Sequence, residues 1–248
     1  MKKTFLILLS LIVLSIIPAH SQDKLTQILQ KELMRNYDIM KDLDVPVYYI
    51  SLRVEKNTIH NISSSFGAVS DNIFYNGRRM VIAMRVGSNA LDNLHYTGNM
   101  NNYITVSLPN EDVEEDIKLT LWRGLQQAYS EAKDELESNQ TEYTTRPQEE
   151  DTAPDFSVEK ASQYFEPEMD FELLGYKEDE VISMVNTLSK TLGNNRDVLV
   201  NYVNFQLNLT RQLFLDTDGA SIEENSPSVR LYTSGMVMAD DGMVMQDY

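Results

Sequence analysis

Apolar residues at Leu25, Ile28, Leu29, Leu33, Met40 and Leu43 recur every three to four positions, which predicts a helix over 24–43, stopped by Val45-Pro46. The period then changes to two. Tyr48, Ile50, Leu52 and Val54 alternate with Ser51, Arg53 and Glu55, the pattern of a strand with one wet face. A poorer strand is expected over 58–69 through Ile62 and Phe66. Asn76-Gly77 reads as a tight turn, followed by a strand that places Met80, Ile82, Met84 and Val86 on one face. Residues 47–87 are thus expected to form an antiparallel meander. The Asn- and Gly-rich stretch 88–109 reads as loops, with a short strand near Tyr103–Leu108.

Helical spacing returns in Val113, Ile117, Leu121, Leu125, Ala128, Ala132 and Leu136, predicting a long helix over 111–137. Asn110 is its expected cap, and Glu111, Asp112, Glu114 and Glu115 suit the positive end of its dipole. Residues 138–157 are polar, acidic and broken by Pro147 and Pro154, and read as an exposed acidic linker. A short helix is expected at 157–165. Val181, Met184, Val185, Leu188 and Leu192 define another helix, with Gly193 expected in the position that ends helices. A second β region follows. Leu199, Val203, Phe205 and Leu207 alternate with polar residues, Asp218-Gly219 and Asp241-Gly242 are hairpin turns, and Val229, Leu231 and Thr233 share a face.

These elements predict an α+β protein of two layers, antiparallel β-sheets with helices packed on one face. The expected organisation is a signal peptide at 1–21, a first α+β unit at 22–137, the linker at 138–157 and a second α+β unit at 158–248. The strand Met243–Tyr248 would lie half-paired at an edge, which native domains avoid, so the chain is expected to continue beyond Tyr248.

The expected signal peptide has a basic start (Lys2, Lys3), an apolar run from Phe5 to Ile17, a break at Pro18 and small residues in Ala19-His20-Ser21. That pattern predicts cleavage after Ser21 and a periplasmic or secreted protein. The alternative, an uncleaved anchor, needs a longer apolar run. After cleavage, no stretch is apolar enough to predict a membrane span. A formal net charge of −17 argues against nucleic acid and anionic lipid as partners. The count of zero Cys removes disulfides, thiolate zinc sites, a Cys nucleophile and lipidation at Cys together.

Two blocks resemble a known family. The first contains Ile50-Ser51-Leu52-Arg53-Val54-Glu55, then Ser63-Ser64-Ser65-Phe66-Gly67, then the string Arg85-Val86-Gly87-Ser88-Asn89-Ala90-Leu91-Asp92-Asn93. The second contains Phe214-Leu215-Asp216-Thr217-Asp218-Gly219, Pro227-Ser228-Val229-Arg230-Leu231 and Ala239-Asp240-Asp241-Gly242. In this order they resemble the TldD/PmbA, or modulator-of-gyrase, family of metallopeptidase-like proteins, and the string from Arg85 resembles its exported members. The resemblance implies that the chain corresponds to the N-terminal, non-catalytic part. It also implies proteolysis by the full protein or its oligomer, and partners in its own C-terminal domain, a second subunit or a peptide substrate. The family's zinc is bound in its C-terminal domain by His-Glu-x-x-x-His and a Cys. Here the histidines are His20, His60 and His95, none followed by Glu. No catalytic, cofactor-binding or metal-binding residue is therefore assigned, and no cofactor is expected in this chain.

Other features have plainer readings beside the chemical ones. His60 and His95 are lone histidines, more often satisfied polar positions than ligands. Asp216, Asp218, Glu223 and Glu224 surround a glycine turn, but Gly219 falls too early for a calcium loop. Glu111 to Asp116 and Glu149 to Asp151 are carboxylate clusters of the kind found in helix first turns and linkers. Arg78, Arg79 and Arg85 suit a solvated strand face. The sequons at Asn61, Asn139 and Asn208 carry no assigned meaning, and Asp151-Thr152-Ala153 resembles a periplasmic O-glycosylation motif. Met236, Met238, Met243 and Met245 would form a soft apolar stripe, either core or a docking surface. Two rivals to the peptidase scaffold remain: a free-standing periplasmic binding or adaptor module, and an inactive homologue pairing with an active one.

Overall fold

The computed structural model describes residues 23–95, 103–145, 153–157, 160–239 and 241–247. The expected signal peptide, Glu149 to Asp151, Thr152 and Tyr248 lie outside the described residues. The elements in chain order are α1 (Lys24–Met40), β1 (Val47–Ser65), β2 (Ala68–Ser88), β3 (Leu91–Asp92), β4 (Tyr103–Leu108), α2 (Glu114–Thr145), β5 (Gln163–Phe165), α3 (Glu178–Leu192), β6 (Val198–Asp216), β7 (Ser221–Met238) and β8 (Val244–Asp247). They form an α+β fold around one eight-stranded sheet, ordered β3-β2-β1-β6-β7-β5, with β4 on β2 and β8 on β7. Every ladder is antiparallel except the short β5–β7 pair. Residues read as two units feed the same sheet, joined by the β1–β6 ladder from Ser51↔Asp216 to Ser64↔Val203. Among the described residues, no helix is long and apolar enough to cross a membrane.

Strand parity puts all three helices on one face. Even residues of β1 and odd residues of β6 share that face, as the pairs Leu52↔Leu215 and Ile62↔Phe205 require. At one end, Ile50, Leu52, Val54, Met80, Ile82 and Met84 pack under α1 and α2, against Leu29, Leu33, Ile117, Leu121 and Leu125. At the other end, Ile62, Val203, Phe205 and Leu207 pack under α3 through Val185, with half-buried help from Phe171, Leu174 and Tyr176. Gly124 lets α2 sit close on the sheet, because a Cβ there would run into the Ile82 side chain.

The structure corrects several sequence readings. There is no turn at Asn76-Gly77. β1 runs unbroken for 19 residues, and the hairpin turns at Phe66-Gly67, whose φ values of 50° and 86° are both left-handed. Asn76 and Gly77 pair with Thr58 and Asn57 inside the ladder, and the Tyr75 ring lies over Gly77. Asn110 does not cap α2; its amide donates to the Asn76 carbonyl at 3.3 Å. The long helix continues past residue 137 to Thr145, because Asn139 is buried and Thr141 and Thr145 bond back onto helix carbonyls. The helix expected at 157–165 is absent, and Gln163–Phe165 form β5. Gly193 has φ −76°, an ordinary helical value, so it is needed there for space rather than for a left-handed turn. A Cβ at Gly193 would meet the Phe66 ring at 2.5 Å and Asn201 Nδ2 at 2.8 Å.

Candidate functional site

The two histidines of the expected mature chain stand at opposite ends of the sheet. His60 is on β1 beneath α3 and is 5% exposed. Its Nε2 lies 2.6 Å from Asn72 Oδ1, and its Nδ1 lies 2.6 Å from the Tyr176 hydroxyl. The Asn72 amide donates onward to Glu178 Oε1 at 2.8 Å, so Asn72 Oδ1 is the acceptor facing the ring. This order makes Nε2 a donor to Asn72, and with Tyr176 at Nδ1 both ring nitrogens have a protein partner. Phe74 and Tyr176 pack edge-on against the ring.

His95 lies beyond β3, with Nδ1 2.5 Å from Asp155 Oδ1. It belongs to a polar knot centred on the fully buried Asp92. Asp92 accepts from the Tyr48 hydroxyl at 2.5 Å, from Arg85 at 2.6 Å and from the Leu94 amide at 2.6 Å. Its own amide donates to Asp155 Oδ2 at 2.8 Å. Burial, and then the bond to Asp92, push the Tyr48 phenol well above its ordinary range. Phe156 covers the knot, 4.7 Å from both the Tyr49 ring and the Arg85 guanidinium. The segment around Asp155 is therefore anchored onto the sheet, although its composition reads as linker.

The carboxylates also separate. Asp216 bonds the Ala220 amide at 2.8 Å and so shapes the Asp218-Gly219 turn, where Gly219 has φ 98°. Burial, followed by the Asp216 charge, raises the Asp218 carboxyl above the usual carboxylate range. Glu223 points to the helix face, is 2% exposed, pairs with Arg211 and accepts from Thr26 at 2.9 Å. Glu224, one residue on, faces the other way. Glu114, Glu115 and Asp116 occupy the first turn of α2. Arg78, Arg79 and Arg85 pair with Asp112, Glu55 and Asp92. Met236, Met238 and Met245 lie on the β7–β8 ladder, with Met238 and Met245 about half exposed. Asn61 accepts from Asn204, Asn208 donates to Thr210, and Asn139 donates to the Asp92 carbonyl.

Among the described residues, no three His, Cys, Asp or Glu side chains gather as metal ligands. Zinc does not fit what is present: both histidines are held by protein partners at opposite ends of the sheet, and the chain has no Cys.

A concavity lies beneath α3. It is a cavity of about 640 Å³ between α3, the segment Leu174–Lys177 and the β6–β7 ladder. Phe205, Leu207, Pro227 and Val229 make its floor, and Tyr176, Val181 and Met184 its walls. Tyr176 stacks on Phe205 with rings 15° apart. Burial first, and the Glu178 charge second, push its phenol up to about 12. Its hydroxyl is occupied by His60, so the wall it presents is apolar. Lys177 and Glu180 at the rim pair with each other at 2.7 Å. An apolar cavity of this size with a paired rim can bind an apolar group. Sequence reasoning missed the site because its residues come from three separate segments. The signal available was Val229 and Leu231, apolar positions sharing a face of one strand.

No family model matches the sequence, and no curated protein does. The fold itself is shared with solved structures of the TldD/PmbA type. These include a proposed modulator of a DNA gyrase from Thermotoga maritima (TM-score 0.50, 10% identity, 88% of this chain, 42% of that one). They also include TldE from Thermococcus kodakarensis (0.51, 14%, 88% and 41%) and a proposed modulator of DNA gyrase from Bacteroides thetaiotaomicron (0.50, 10%, 91% and 44%). At these identities the likeness establishes the fold alone. The chain spans about two-fifths of the length of each of these structures.

Proposed function

We propose that this chain is the N-terminal, non-catalytic scaffold of an exported TldD/PmbA-like zinc metallopeptidase. In this reading it builds subunit contacts and walls of a substrate chamber, while the metal is held by residues outside 22–248. The observation that carries the reading is the fold shared with three proteins of that type over 88–91% of this chain. The engagement of His60 and His95 by protein partners supports a non-catalytic role. The basic and apolar N-terminus supports export, and an N-terminal sequence starting at Gln22 is the expected mature form. The partners in this reading are its own C-terminal domain or a second subunit.

The test compares purified residues 22–248 with the full gene product, by zinc analysis and hydrolysis of an unstructured peptide. Residues 22–248 should neither retain zinc nor cut; the full product, or its complex with a second subunit, should do both and lose both to a chelator. A full product and complex that are zinc-free and inert would sink the proposal. A free-standing binding or adaptor module is the second reading, favoured by the cavity beneath α3.

A further inference from the structure

The face of the sheet turned away from the three helices changes character along its length. At the α1 and α2 end it carries Arg53 and Glu55 on β1, Arg79 and Arg85 on β2 and Glu224 on β7, the charged mix of a solvated sheet. At the α3 end the charges stop. The β1 positions on this face are Asn57, Ile59, Asn61 and Ser63, and the β6 positions are Tyr202, Asn204, Gln206, Asn208 and Thr210. The flanking strands add Ile73 and Tyr75 on one side and Ser228 and Tyr232 on the other. Over 71–77 of β2 and 226–234 of β7, only Asp71 and Arg230 put a charge on this face. A solvated surface in a chain that is 24% charged is expected to keep its charges.

The polar groups here are fixed by bonds across the strands. The Tyr202 and Ser63 hydroxyls lie 2.8 Å apart, and the Asn204 amide donates to Ser63 Oγ at 3.0 Å and to Asn61 Oδ1 at 2.7 Å. Further along, the Asn208 amide donates to Thr210 Oγ1 at 3.3 Å, and the Thr210 hydroxyl donates to Asn57 Oδ1 at 2.7 Å. These two chains of bonds stop on either side of Gln206, whose side-chain amide has no partner among the described residues. Asn208 Oδ1 is closed from water and likewise meets no donor among them. The tract is therefore an ordered row of amides and hydroxyls with two unmet places. Tyr75 and Tyr232, 56% and 37% exposed, stand on its two sides, three strand spacings or about 14 Å apart.

This chemistry narrows the occupant. The tract has no run of charge to hold a polyanion or a basic segment, and its amides are wrong for a lipid or a second apolar sheet. An extended peptide satisfies its main-chain groups at a strand edge, whereas β1 and β6 are paired on both sides and offer only side chains. A polyhydroxylated chain matches what remains. Its hydroxyls both donate and accept, as closely spaced amides require, and the C–H faces of its sugars lie on exposed tyrosine rings.

We infer that the open face of the sheet at the α3 end binds a linear, neutral polysaccharide. The amides of Asn204, Gln206 and Asn208 meet its hydroxyls, with a turn of the Asn208 amide presenting Oδ1, and Tyr75 and Tyr232 meet its sugar faces. Amides already held by their neighbours lose little freedom on binding. The inference stands apart from the peptidase reading, since it needs neither zinc nor hydrolysis.

The probes are maltohexaose, cellohexaose, mannohexaose and xylohexaose, each titrated into the purified protein and followed by NMR of the side-chain amides. At least one should shift the Asn204, Gln206 and Asn208 signals saturably. Hexagalacturonate, the charged counterpart, should not, since the chain's net charge of −17 repels it. Tyr75→Ala should weaken binding about tenfold and Gln206→Ala about fivefold, both at an unchanged melting temperature. Met184→Asp, on the opposite face, should leave the affinity as it is. No saturable binding by any of the four, equal binding of hexagalacturonate, or an affinity indifferent to both Tyr75→Ala and Gln206→Ala would overturn the inference. So would Gln206 and Tyr75 signals that a soluble gadolinium chelate fails to broaden in the free protein, the mark of a face covered by more of the protein.

Discussion

The two ends of the long sheet are covered unequally. Under α1 and α2 the sheet meets two helices, and Leu29, Leu33, Ile50, Leu52, Met80, Ile82, Ile117, Leu121 and Leu125 are sealed from water. Under α3 a single helix covers the ladder, few apolar side chains are sealed, and Val229 and Leu231 remain exposed beside it. β1, β2, β6 and β7 run through both regions; a difference between them is how much apolar surface the helical layer removes from water. Stability follows that buried area, while binding capacity sits where the layer stops short.

One of the two largest expected effects lies where the halves are tied together. Glu223→Ala would leave the buried Arg211 without its carboxylate, with the Glu166 carbonyl and Asn225 Oδ1 still accepting from it, and should cost about 3 kcal/mol in urea unfolding. In the well-covered end, Leu121→Ala should cost about 3 kcal/mol by the same measurement. Val185→Ala in the sparsely covered end removes two methyl groups from a smaller cluster, and should cost only about 2 kcal/mol. Equal losses at Leu121 and at Val185 would remove the contrast. Gly193→Ala forces Phe66 aside at the hairpin tip and should cost about 1–2 kcal/mol, with amide shifts confined to the α3 end.

The smallest effect is alkaline. Tyr49 and Tyr176 are each pushed up to about 12 by burial, aided by Asp216 and Glu178 respectively. A phenol whose proton is held more tightly in the fold stabilises it fully below the ordinary tyrosine range. That contribution is lost as pH rises from about 10 toward 12. Ultraviolet titration should find both phenols ionising late, with Tyr176 released first if its end opens locally. Ionisation of Tyr176 at the ordinary tyrosine pKa in the folded protein would contradict the burial assigned to it.

The helices were legible because their apolar stripes face a helix-covered sheet: Leu25 to Met40, Ile117 to Leu136 and Val181 to Leu192 all carry the period. β4 and the Asp218-Gly219 and Asp241-Gly242 turns were legible for similar local reasons. The length of β1 was not. Toward its far end the buried face carries His60 and Ser64, which break the apolar alternation yet are satisfied by Tyr176, Asn72, Ser189 and Asn186. The Asn-Gly pair at 76–77 mimics a turn, whereas the real turn uses Phe66, a residue with little intrinsic preference for left-handed backbone. β5 has three residues, too few for any period, and exists because β7 offers it an edge. The cavity was invisible in one dimension, since Tyr176, Met184, Phe205 and Val229 meet only after β6 and β7 have paired.

Native-state hydrogen exchange in increasing urea tests the inequality of the two ends most directly. Amides of α3 and of Leu174–Lys177 should open in a separate step at lower free energy than those of α1, α2 and the β1–β2 ladder from Ile50 to Met84. A single exchange isotherm shared by both ends, at the free energy of global unfolding, would contradict it.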